Sequence, residues 1–353
     1  QMANPGEFTQ RAFLNGKLNL TQAEAIIDVI QAKSKAALQL SEKQLQGALG
    51  QKAAAAADQL LDLLAQMEVA IDYPEEADDL WETLALPETL GQVLAEVQQL
   101  LAGAEQGKLY REGALTAIIG PANAGKSTLL NAFLQEERAI VTAVAGTTRD
   151  TIEEYYTING LPLKLVDTAG FRETADEVEQ QGIRRSEKAM AQADLILLVL
   201  DGSQPLPPEW QERLQTLLGR PLIVVLNKMD QVADAGAAVE SFTAAYPQLT
   251  VAPVAAKTGQ GIEELQQTIF QTVLGKGLQP QDLTGLINGR QKSALERAAA
   301  HLQEALQGLA AGMDGDMVAI DIQNAWQALG EITGQQQSEE IIDRVFSRFC
   351  LGK

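Results

Sequence analysis

The chain has 353 residues, of which 46% are apolar and 21% charged, as expected for a globular protein that buries a sizeable core. Its formal net charge of −20 argues against general attraction to polyanions, so any contact with nucleic acid should be local or supplied by a partner protein. The single cysteine excludes an internal disulfide and fits a reducing compartment. We find neither a signal peptide nor an apolar run of membrane-spanning length. We therefore expect a cytoplasmic protein with no membrane contact.

The first hundred residues contain two kinds of sequence. The segment NPGEF at 4–8 predicts a turn that enters a short element, and residues 1–20 differ in pattern from the residues after them. From 20 to 109, Ala, Leu, Gln and Glu dominate, which favours helices. Pro74 and Pro87 should end helices, because proline lacks the N–H that a helix interior needs.

The middle of the chain alternates between strand-like and helical segments. The β-rich runs are at 115–119, 152–158, 163–166, 195–200, 222–226 and 251–254. This alternation predicts a doubly wound α/β domain with a mostly parallel sheet. From 282 onward the pattern is helical again: the lone histidine, His301, should lie on a helix surface, and a period of about 3.6 relates the apolar residues Ile341, Ile342, Val345, Phe346 and Phe349.

An α/β domain therefore interrupts an all-α one. The simplest arrangement is insertion, with both helical halves packed together, and two separate helical domains are the alternative. We predict the first helical half at 21–110, the α/β domain at 111–276 and the second helical half at 277–353.

The segment GPANAGKS at 120–127 matches the P-loop pattern G-x-x-x-x-G-K-S. It follows a predicted strand and precedes a helical run at 128–133, which is the context that the motif requires. Its backbone N–H groups should surround phosphate at a helix N-terminus. Lys126 should reach the β- and γ-phosphates, and Ser127 should bind Mg²⁺.

Two further segments fit phosphate and metal binding. In DTAG at 167–170, the Asp167 carboxylate at a strand end can hold Mg²⁺ through water, and the Gly170 N–H can reach the γ-phosphate. In GTTRD at 146–150, Thr148 is our choice for the residue that closes over Mg²⁺ and phosphate. The alternative for that segment is a polar loop with a helix cap at Thr151.

The segment NKMD at 227–230 follows an apolar strand and predicts which nucleotide base the protein binds. The Asp230 carboxylate can accept hydrogen bonds from N1–H and the 2-amino group of guanine, and adenine offers neither donor. AAK at 255–257 follows another strand and is the place for a backbone N–H that donates to guanine O6. Together with the P-loop, these residues predict a GTPase.

Hydrolysis needs a group that orients water. The position after DTAG, where many GTPases have glutamine, is Phe171, which cannot do so. The following loop, 172–179, carries four carboxylates, and the pattern alone does not choose among them. Asn123 in the P-loop can help to hold a monovalent ion, or it can serve only the loop geometry.

Several segments carry a family resemblance: PGEFT at 5–9, RAFLNGK at 11–17, GTTRD at 146–150, DTAG at 167–170 and CLGK at 350–353, with Asn123 and Glu179. Across essentially the whole chain the sequence resembles the bacterial tRNA modification GTPases of the MnmE (TrmE) family. The P-loop is shared by many families, whereas the segments at 5–17 and 350–353 are far more specific.

The resemblance implies a K⁺-stimulated GTPase that is activated when G domains dimerise transiently. It implies Mg²⁺ on Ser127 and Thr148, K⁺ on Asn123, Thr142, Val144 and Thr147, and Glu179 as the residue that positions water. The nucleotide-binding set is then Asn123, Ala124, Gly125, Lys126, Ser127, Thr128, Thr142, Ala143, Val144, Ala145, Gly146, Thr147, Thr148, Asp167, Thr168, Ala169, Gly170, Asn227, Lys228, Met229, Asp230, Ala255, Ala256 and Lys257.

The resemblance also implies partners. The family forms homodimers and acts with an FAD-dependent protein, MnmG (GidA), to place a 5-carboxymethylaminomethyl-type group on the wobble uridine of certain tRNAs. The one-carbon unit comes from a tetrahydrofolate derivative, and tRNA binding mainly by the partner fits the net charge of −20. Of the family's folate-binding N-terminal domain, we expect only a remnant at 1–20. Lys17 and Lys353 match folate-associated positions. Cys350 resembles a position with a chemically active thiol, and the alternative is an ordinary C-terminal thiol beside an amphipathic helix.

Two other classes compete with this interpretation. A ribosome-assembly GTPase of the Era or Der type pairs a G domain with an RNA-binding module or a second G domain, and a dynamin-type GTPase carries a lipid-binding segment. The sequence has one P-loop, no GXXG-type RNA-binding segment and no basic lipid-binding segment, which favours the tRNA-modification class.

Overall fold

The computed structural model describes residues 3–73, 85–136, 155–166, 192–275, 280–335, 339–347 and 349. The chain divides into two compact units. The helical unit comprises Gln1–Ala32, Ala37–Lys108 and Leu278–Lys353, and the α/β unit comprises Lys33–Ala36 and Leu109–Gly277. The α/β unit is thus inserted into a helical sequence, which confirms the predicted fold class, while the limits of the individual domains stay a prediction.

Helices surround the α/β unit in the sequence, and strands and helices alternate within it. In chain order the described elements are α1 (Glu7–Leu14), α2 (Leu20–Gln31), α3 (Lys35–Leu45), α4 (Ala48–Asp72), α5 (Leu86–Glu112), β1 (Ala114–Ile119), α6 (Lys126–Glu136), β2 (Tyr155–Ile158), β3 (Leu161–Val166), β4 (Leu195–Asp201), α7 (Pro208–Leu217), β5 (Leu222–Asn227), a 3₁₀ turn (Met229–Gln231), α8 (Ala235–Ala245), β6 (Thr250–Pro253), α9 (Ile262–Leu274), α10 (Gly289–Ala310), α11 (Gly315–Thr333) and α12 (Glu339–Phe346).

Two helices of the helical unit begin with the same reciprocal cap. Asn19 Oδ1 accepts a hydrogen bond from the Gln22 N–H at 2.9 Å, and the Gln22 side chain accepts one from the Asn19 N–H at 3.0 Å. Asn288 and Gln291 repeat this pair at the start of α10. Each cap satisfies two N–H groups that a helix start would leave without partners, and so fixes where α2 and α10 begin.

The proline expectation is right for one helix and wrong for the other. Helix α4 ends at Asp72, shortly before Pro74, which itself lies outside the described residues. Pro87 does not end a helix, because α5 begins at Leu86 and Pro87 lies in its first turn. The N–H groups of a first turn have no helical partner, so proline is tolerated there.

Four helices supply the main core of the helical unit. Leu60 of α4, Leu90 of α5, Leu295 of α10 and Ile322 of α11 are all 0% exposed. A second, smaller cluster joins α2 to the C-terminal segment: Leu20 and Ala23 pack with Phe346 and Phe349, and Ile342 and Val345 lie against them. The predicted apolar face is therefore confirmed at 342, 345, 346 and 349, whereas Ile341 is 38% exposed and lies outside the cluster.

The α/β unit is built on a six-stranded sheet with the order β2-β3-β1-β4-β5-β6. Among the strands that the structure describes, only β2 runs antiparallel to its neighbour, β3, and the other pairs are parallel. Strands β4 and β5 each have a neighbour on both sides and are apolar runs, which is what a strand covered on both faces requires. Trp210 and Leu214 of α7 and Phe242 of α8 pack on these two strands. The doubly wound, mostly parallel sheet is thus confirmed.

No helix in the described ranges combines the length and the apolarity that a membrane crossing requires.

Candidate functional site

The loop that joins β1 to α6 has left-handed backbone angles at three positions. The φ angles are 145° at Gly120, 61° at Asn123 and 93° at Gly125. A Cβ atom on Gly120 would lie 2.0 Å from the Val199 carbonyl oxygen, and one on Gly125 would lie 2.2 Å from Nδ2 of Asn227. Glycine is therefore required at both ends of the loop, where it passes against β4 and the end of β5.

Lys126, the first residue of α6, folds back over this loop. Its Nζ donates hydrogen bonds to the carbonyl oxygens of Gly120 at 2.9 Å and Pro121 at 2.7 Å. Burial lowers the pKa of the Lys126 ammonium, because the charged form loses solvation. An anion beside the ammonium would offset that loss, so the arrangement suits a phosphate group.

The first turn of α6 exposes polar side chains to solvent. Ser127 and Thr128 are exposed, whereas Ala124 just before the helix is buried. The helix has eleven residues, and its first N–H groups have no partner within the helix. The exposed Ser127 hydroxyl is thus accessible at a helix N-terminus that favours negative charge.

Asn227, the last residue of β5, joins three separate segments of the α/β unit. It is only 2% exposed. Its Nδ2 donates to the Ala124 carbonyl oxygen at 2.9 Å, and its Oδ1 accepts from the Ala256 N–H at 3.1 Å. One amide side chain therefore ties the phosphate loop to the segment 255–257.

The three residues after Asn227 take different positions. Lys228 has a left-handed backbone, with φ 63°, and its Nζ lies 2.7 Å from Oδ2 of Asp201. Met229 is buried, and its N–H donates to the Val254 carbonyl oxygen at 3.1 Å. Asp230 is exposed in the 3₁₀ turn, so its carboxylate is accessible to a ligand.

The segment 255–257 has less freedom than the sequence suggests. Ala255 and Ala256 are buried, and Lys257 is exposed. The Ala255 N–H donates to the Gln260 carbonyl oxygen at 2.9 Å, and the Ala256 N–H donates to Asn227. A contact from either N–H to a guanine O6 would have to share or replace one of these bonds.

Comparison with known proteins identifies the family. The model of the MnmE helical domain matches residues 20–350. The tRNA modification GTPase MnmE of Lactiplantibacillus plantarum is 47% identical over 100% of this chain and 76% of its own length. The protein of the same name from Chloroflexus aurantiacus is 46% identical over 100% of this chain and 77% of its own length.

The chain belongs to the MnmE family.

Solved structures give weaker similarities than these MnmE relatives. Era in complex with MgGDPNP and part of 16S ribosomal RNA is 29% identical, covers 53% of this chain and 65% of its own, and has a TM-score of 0.37. The FeoB G-domain from Methanococcus jannaschii is 29% identical, covers 45% of this chain and 96% of its own, and has a TM-score of 0.31. TM-scores this low support no functional comparison.

Part of the site predicted from the MnmE resemblance lies outside the described residues. This part consists of Thr142, Ala143, Val144, Ala145, Gly146, Thr147, Thr148, Asp167, Thr168, Ala169, Gly170 and Glu179, together with Cys350 and Lys353 of the tail. The other folate-associated position, Lys17, is exposed shortly after α1. The structure thus describes the phosphate loop and the base-recognition segments.

One residue beside the site was missed by the sequence interpretation. Asp201, at the end of β4, accepts the hydrogen bond from Lys228 and two from Ser203. The available signal was a carboxylate at the carboxyl end of an apolar strand, which in a parallel sheet is the edge where ligands bind. The same edge carries the phosphate loop after β1 and Asn227 on β5.

Proposed function

We propose that this MnmE-family GTPase hydrolyses GTP and couples hydrolysis to 5-carboxymethylaminomethyl-type modification of the wobble uridine of certain tRNAs. The observation that carries the GTPase assignment is the pair of hydrogen bonds in which Asn227 donates to the Ala124 carbonyl oxygen and accepts from the Ala256 N–H, because a single nucleotide pocket needs the phosphate loop beside the base-recognition motif. The curated relatives that are named tRNA modification GTPases support the wider role.

Phosphate binding is assigned to the loop and to the first turn of α6. Residues Asn123 to Thr128 surround the phosphates with N–H groups, and Lys126 supplies the positive charge. Its ammonium already lies over the loop, within 2.9 Å of two carbonyl oxygens, which limits the reorganisation that binding requires. Asp167 to Gly170 complete this part of the pocket from a segment outside the described residues.

Base recognition is assigned to Asp230. Its exposed carboxylate accepts from the N1–H and 2-amino groups of guanine, while Asn227 holds the surrounding segments and Lys228 lies along the nucleotide. Adenine would leave the carboxylate desolvated and without donors, which costs about 1–3 kcal/mol or more for a charged group. GTP is therefore preferred over ATP. Met229 and 255–257 shape the remaining wall.

Two cations accompany GTP in this proposal. Mg²⁺ is held by Ser127 and Thr148, and the exposed Ser127 hydroxyl at the start of α6 fits an oxygen-preferring ion. K⁺ is held by Asn123, Thr142, Val144 and Thr147, and the exposed Asn123 side chain offers a suitable amide oxygen. When bound, the cations neutralise charge that develops on the phosphates.

Hydrolysis also needs an oriented water. Phe171 cannot provide this, and the acidic loop 172–179 has four carboxylates, among which the MnmE resemblance selects Glu179 for the role. Transient dimerisation of G domains brings the loop into its active conformation. The choice of Glu179 and the dimerisation follow from the MnmE resemblance, and the loop lies outside the described residues.

The partners proposed are a second copy of this chain and the FAD-dependent protein MnmG. The net charge of −20 supports a division of labour in which MnmG binds most of the tRNA. A tetrahydrofolate derivative supplies the one-carbon unit, with Lys17 and Lys353 at folate-associated positions. Cys350 is proposed as a reactive thiol in the tail.

Phosphate release measured with GTP or ATP, in KCl or NaCl, tests the proposal. We expect turnover with GTP but not with ATP, and faster turnover in KCl. Lys126→Ala should abolish turnover because the phosphates lose the one cationic side chain of the P-loop segment 120–127. Lys52→Ala, which removes an exposed lysine of the helical unit, is the matched control and should behave as wild type.

The three parts of the proposal fail separately. Absence of GTP turnover in both salts would contradict the GTPase assignment. Equal turnover in KCl and NaCl would contradict only the K⁺ site. Failure of purified MnmG to bind the folded protein would contradict the partnership.

A further inference from the structure

Asp201 is held at the carboxyl end of β4, beside the end of β5. The sheet register pairs it with Asn227, and the N–H of Gly202 donates to the Asn227 carbonyl oxygen at 2.8 Å. Oδ1 of Asp201 accepts from the Ser203 N–H at 3.0 Å and from the Ser203 hydroxyl at 2.6 Å. Its other carboxylate oxygen, Oδ2, accepts from Lys228 at 2.7 Å. Both oxygens of Asp201 are therefore engaged, and the carboxylate has a fixed direction.

The contact with Lys228 is partly shielded from water. The side chains are 13% exposed for Asp201 and 27% exposed for Lys228. Burial by itself would raise the pKa of Asp201, but the hydrogen bonds from Lys228 and Ser203 and the Lys228 charge outweigh it and hold the pKa below its ordinary value. Asp201 is thus an anion at neutral pH, and its bond to Lys228 is charge-assisted at both ends.

Lys228 would have room to move without this bond. Asp201 and Lys228 both line a cavity of about 490 Å³ that also touches the phosphate loop at Pro121 and Asn123 and α8 at Phe242. A lysine side chain has a flexible four-carbon stem. The left-handed backbone of Lys228 fixes where the side chain starts, but among the contacts of the described residues only Asp201 restrains its end.

We propose that Asp201 is a positioning residue for the guanine nucleotide, because it fixes the Lys228 side chain at the wall of this cavity, ready for the nucleotide, and prevents it from moving into the cavity interior. This inference rests on the proposed function, since it assigns Lys228 to nucleotide binding. Without the carboxylate, Lys228 must lose rotamer freedom each time that a nucleotide binds, and affinity falls. The chemistry of hydrolysis does not involve Asp201.

Asp201→Asn tests this role with little change in shape. We expect Kd for GDP and GTP, and KM for GTP, to rise about tenfold through loss of the charge-assisted bond. Since Asp201 acts on binding and not on the reacting atoms, kcat should change by less than about twofold. The matched control is Asp194→Asn: Asp194 lies beside the opposite end of β4, where its Oδ2 accepts from the Leu115 N–H at 2.8 Å, and Kd should stay at the wild-type value.

A double-mutant cycle separates positioning from support of the sheet. If Asp201 acts through Lys228, Asp201→Asn has no further effect on Kd in the Lys228→Met background. The same rise in Kd in both backgrounds would assign Asp201 a merely structural role and overturn the inference.

The remaining outcomes are also distinct. An unchanged Kd for Asp201→Asn, with wild type binding GTP normally, overturns this inference and leaves the GTPase assignment intact. A wild-type protein that binds no GTP overturns the proposed function instead. If Asp201→Asn fails to fold, Ser203→Ala loosens the same carboxylate by one hydrogen bond and should raise Kd about threefold; an unchanged Kd there overturns the inference as well.

Discussion

Nδ2 of Asn227 lies 2.9 Å from the carbonyl oxygen of Ala124, although 103 residues separate the two along the chain. The bond is buried, so breaking it would leave both an amide and a carbonyl without a partner. It fixes the distance between the loop to which we assign phosphate binding and the segment to which we assign base recognition. The geometry of the proposed site therefore depends on one amide side chain.

Gly125→Ala should disrupt this relationship. The new Cβ would lie 2.2 Å from Nδ2 of Asn227, and φ at this position is 93°, so neither the contact nor the backbone accommodates alanine. We expect loss of GTP binding, measured by fluorescence titration, and a fall in the free energy of unfolding by about 2 kcal/mol or more from strain and the lost bond.

Gly219→Ala is the matched control for that substitution. Gly219 also has a left-handed backbone, with φ 84°, but no atom lies within 4 Å of the position of its Cβ. The free energy of unfolding of Gly219→Ala should fall by about 1 kcal/mol from backbone strain, and the variant should keep its affinity for GTP. Equal loss of GTP binding in both variants would mean that strain, and not the contact with Asn227, is responsible.

Asp230→Asn should change which base is accepted. The amide can donate to the 2-oxo group of xanthine, whereas it cannot accept from both guanine donors as the carboxylate does. We expect affinity for GTP to fall about a hundredfold or more and affinity for XTP to rise above it. Competition between GTP and XTP for the purified variant measures this ratio, and an unchanged preference for GTP would remove Asp230 from base recognition.

Arg290→Met should destabilise the helical unit strongly. Arg290 donates from Nε at 2.9 Å and from a terminal guanidinium nitrogen at 2.7 Å to the two carboxylate oxygens of Glu24, and it also donates to the carbonyl oxygens of Glu331 and Ile332. Glu24 is only 8% exposed. Because the substitution leaves this carboxylate buried without its cation, we expect the free energy of unfolding to fall by about 3–5 kcal/mol.

The control for this prediction is Arg297→Met. Arg297 also pairs with a glutamate, Glu331, but its side chain is 49% exposed. An exposed ion pair contributes about 0–1 kcal/mol to the free energy of unfolding, so urea unfolding should show a much smaller loss for Arg297→Met than for Arg290→Met. Similar losses in both would show that burial does not set the strength of the Arg290 contact.

Tyr110→Phe should be tolerated at neutral pH. Tyr110 is 0% exposed, and within the described part of the chain its hydroxyl has no hydrogen-bond partner. Removal of an unpaired buried hydroxyl should leave the free energy of unfolding unchanged or raise it by about 1 kcal/mol. Urea unfolding near pH 7 checks this, and a loss of more than about 1 kcal/mol would reveal a hydrogen bond to the Tyr110 hydroxyl.

Wild type and Tyr110→Phe should differ in stability at alkaline pH. Burial raises the pKa of Tyr110 from 10.0 to about 12, so the folded state keeps a proton that the unfolded state loses. The contribution of the protonated Tyr110 to the free energy of unfolding is fully present below pH 10 and is lost as the pH rises toward about 12. Wild type should therefore lose stability relative to Tyr110→Phe over that range, as urea unfolding at several pH values would measure.

The local sequence determined the central elements of the sheet and the motifs on them. Apolar runs at 195–200 and 222–226 are too short for long helices and too apolar for exposed strands, so they predict buried strands correctly. The phosphate loop then follows β1, and NKMD begins at the last residue of β5, because their residue types tolerate tight turns at strand ends. These features depend on neighbours along the chain.

Other features required the tertiary structure. The composition around Pro87 did not reveal whether a helix ends or begins there, because proline is compatible with both a stop and a first turn. Ile341 shares the apolar composition of its neighbours, yet it is 38% exposed because the segment buries one face only. Periodicity identifies an apolar stripe but does not fix its edges.

The sequence by itself determined that this protein binds a guanine nucleotide, through motifs whose chemistry is local. Only the tertiary structure decided that Asn227 bonds to Ala124 and that Asp201 holds Lys228. The physical reason is that parallel strands bring their carboxyl ends to one edge of the sheet, whatever their separation in the chain. Which side chains meet at that edge depends on strand order and register, and these are set by the packing of the whole unit.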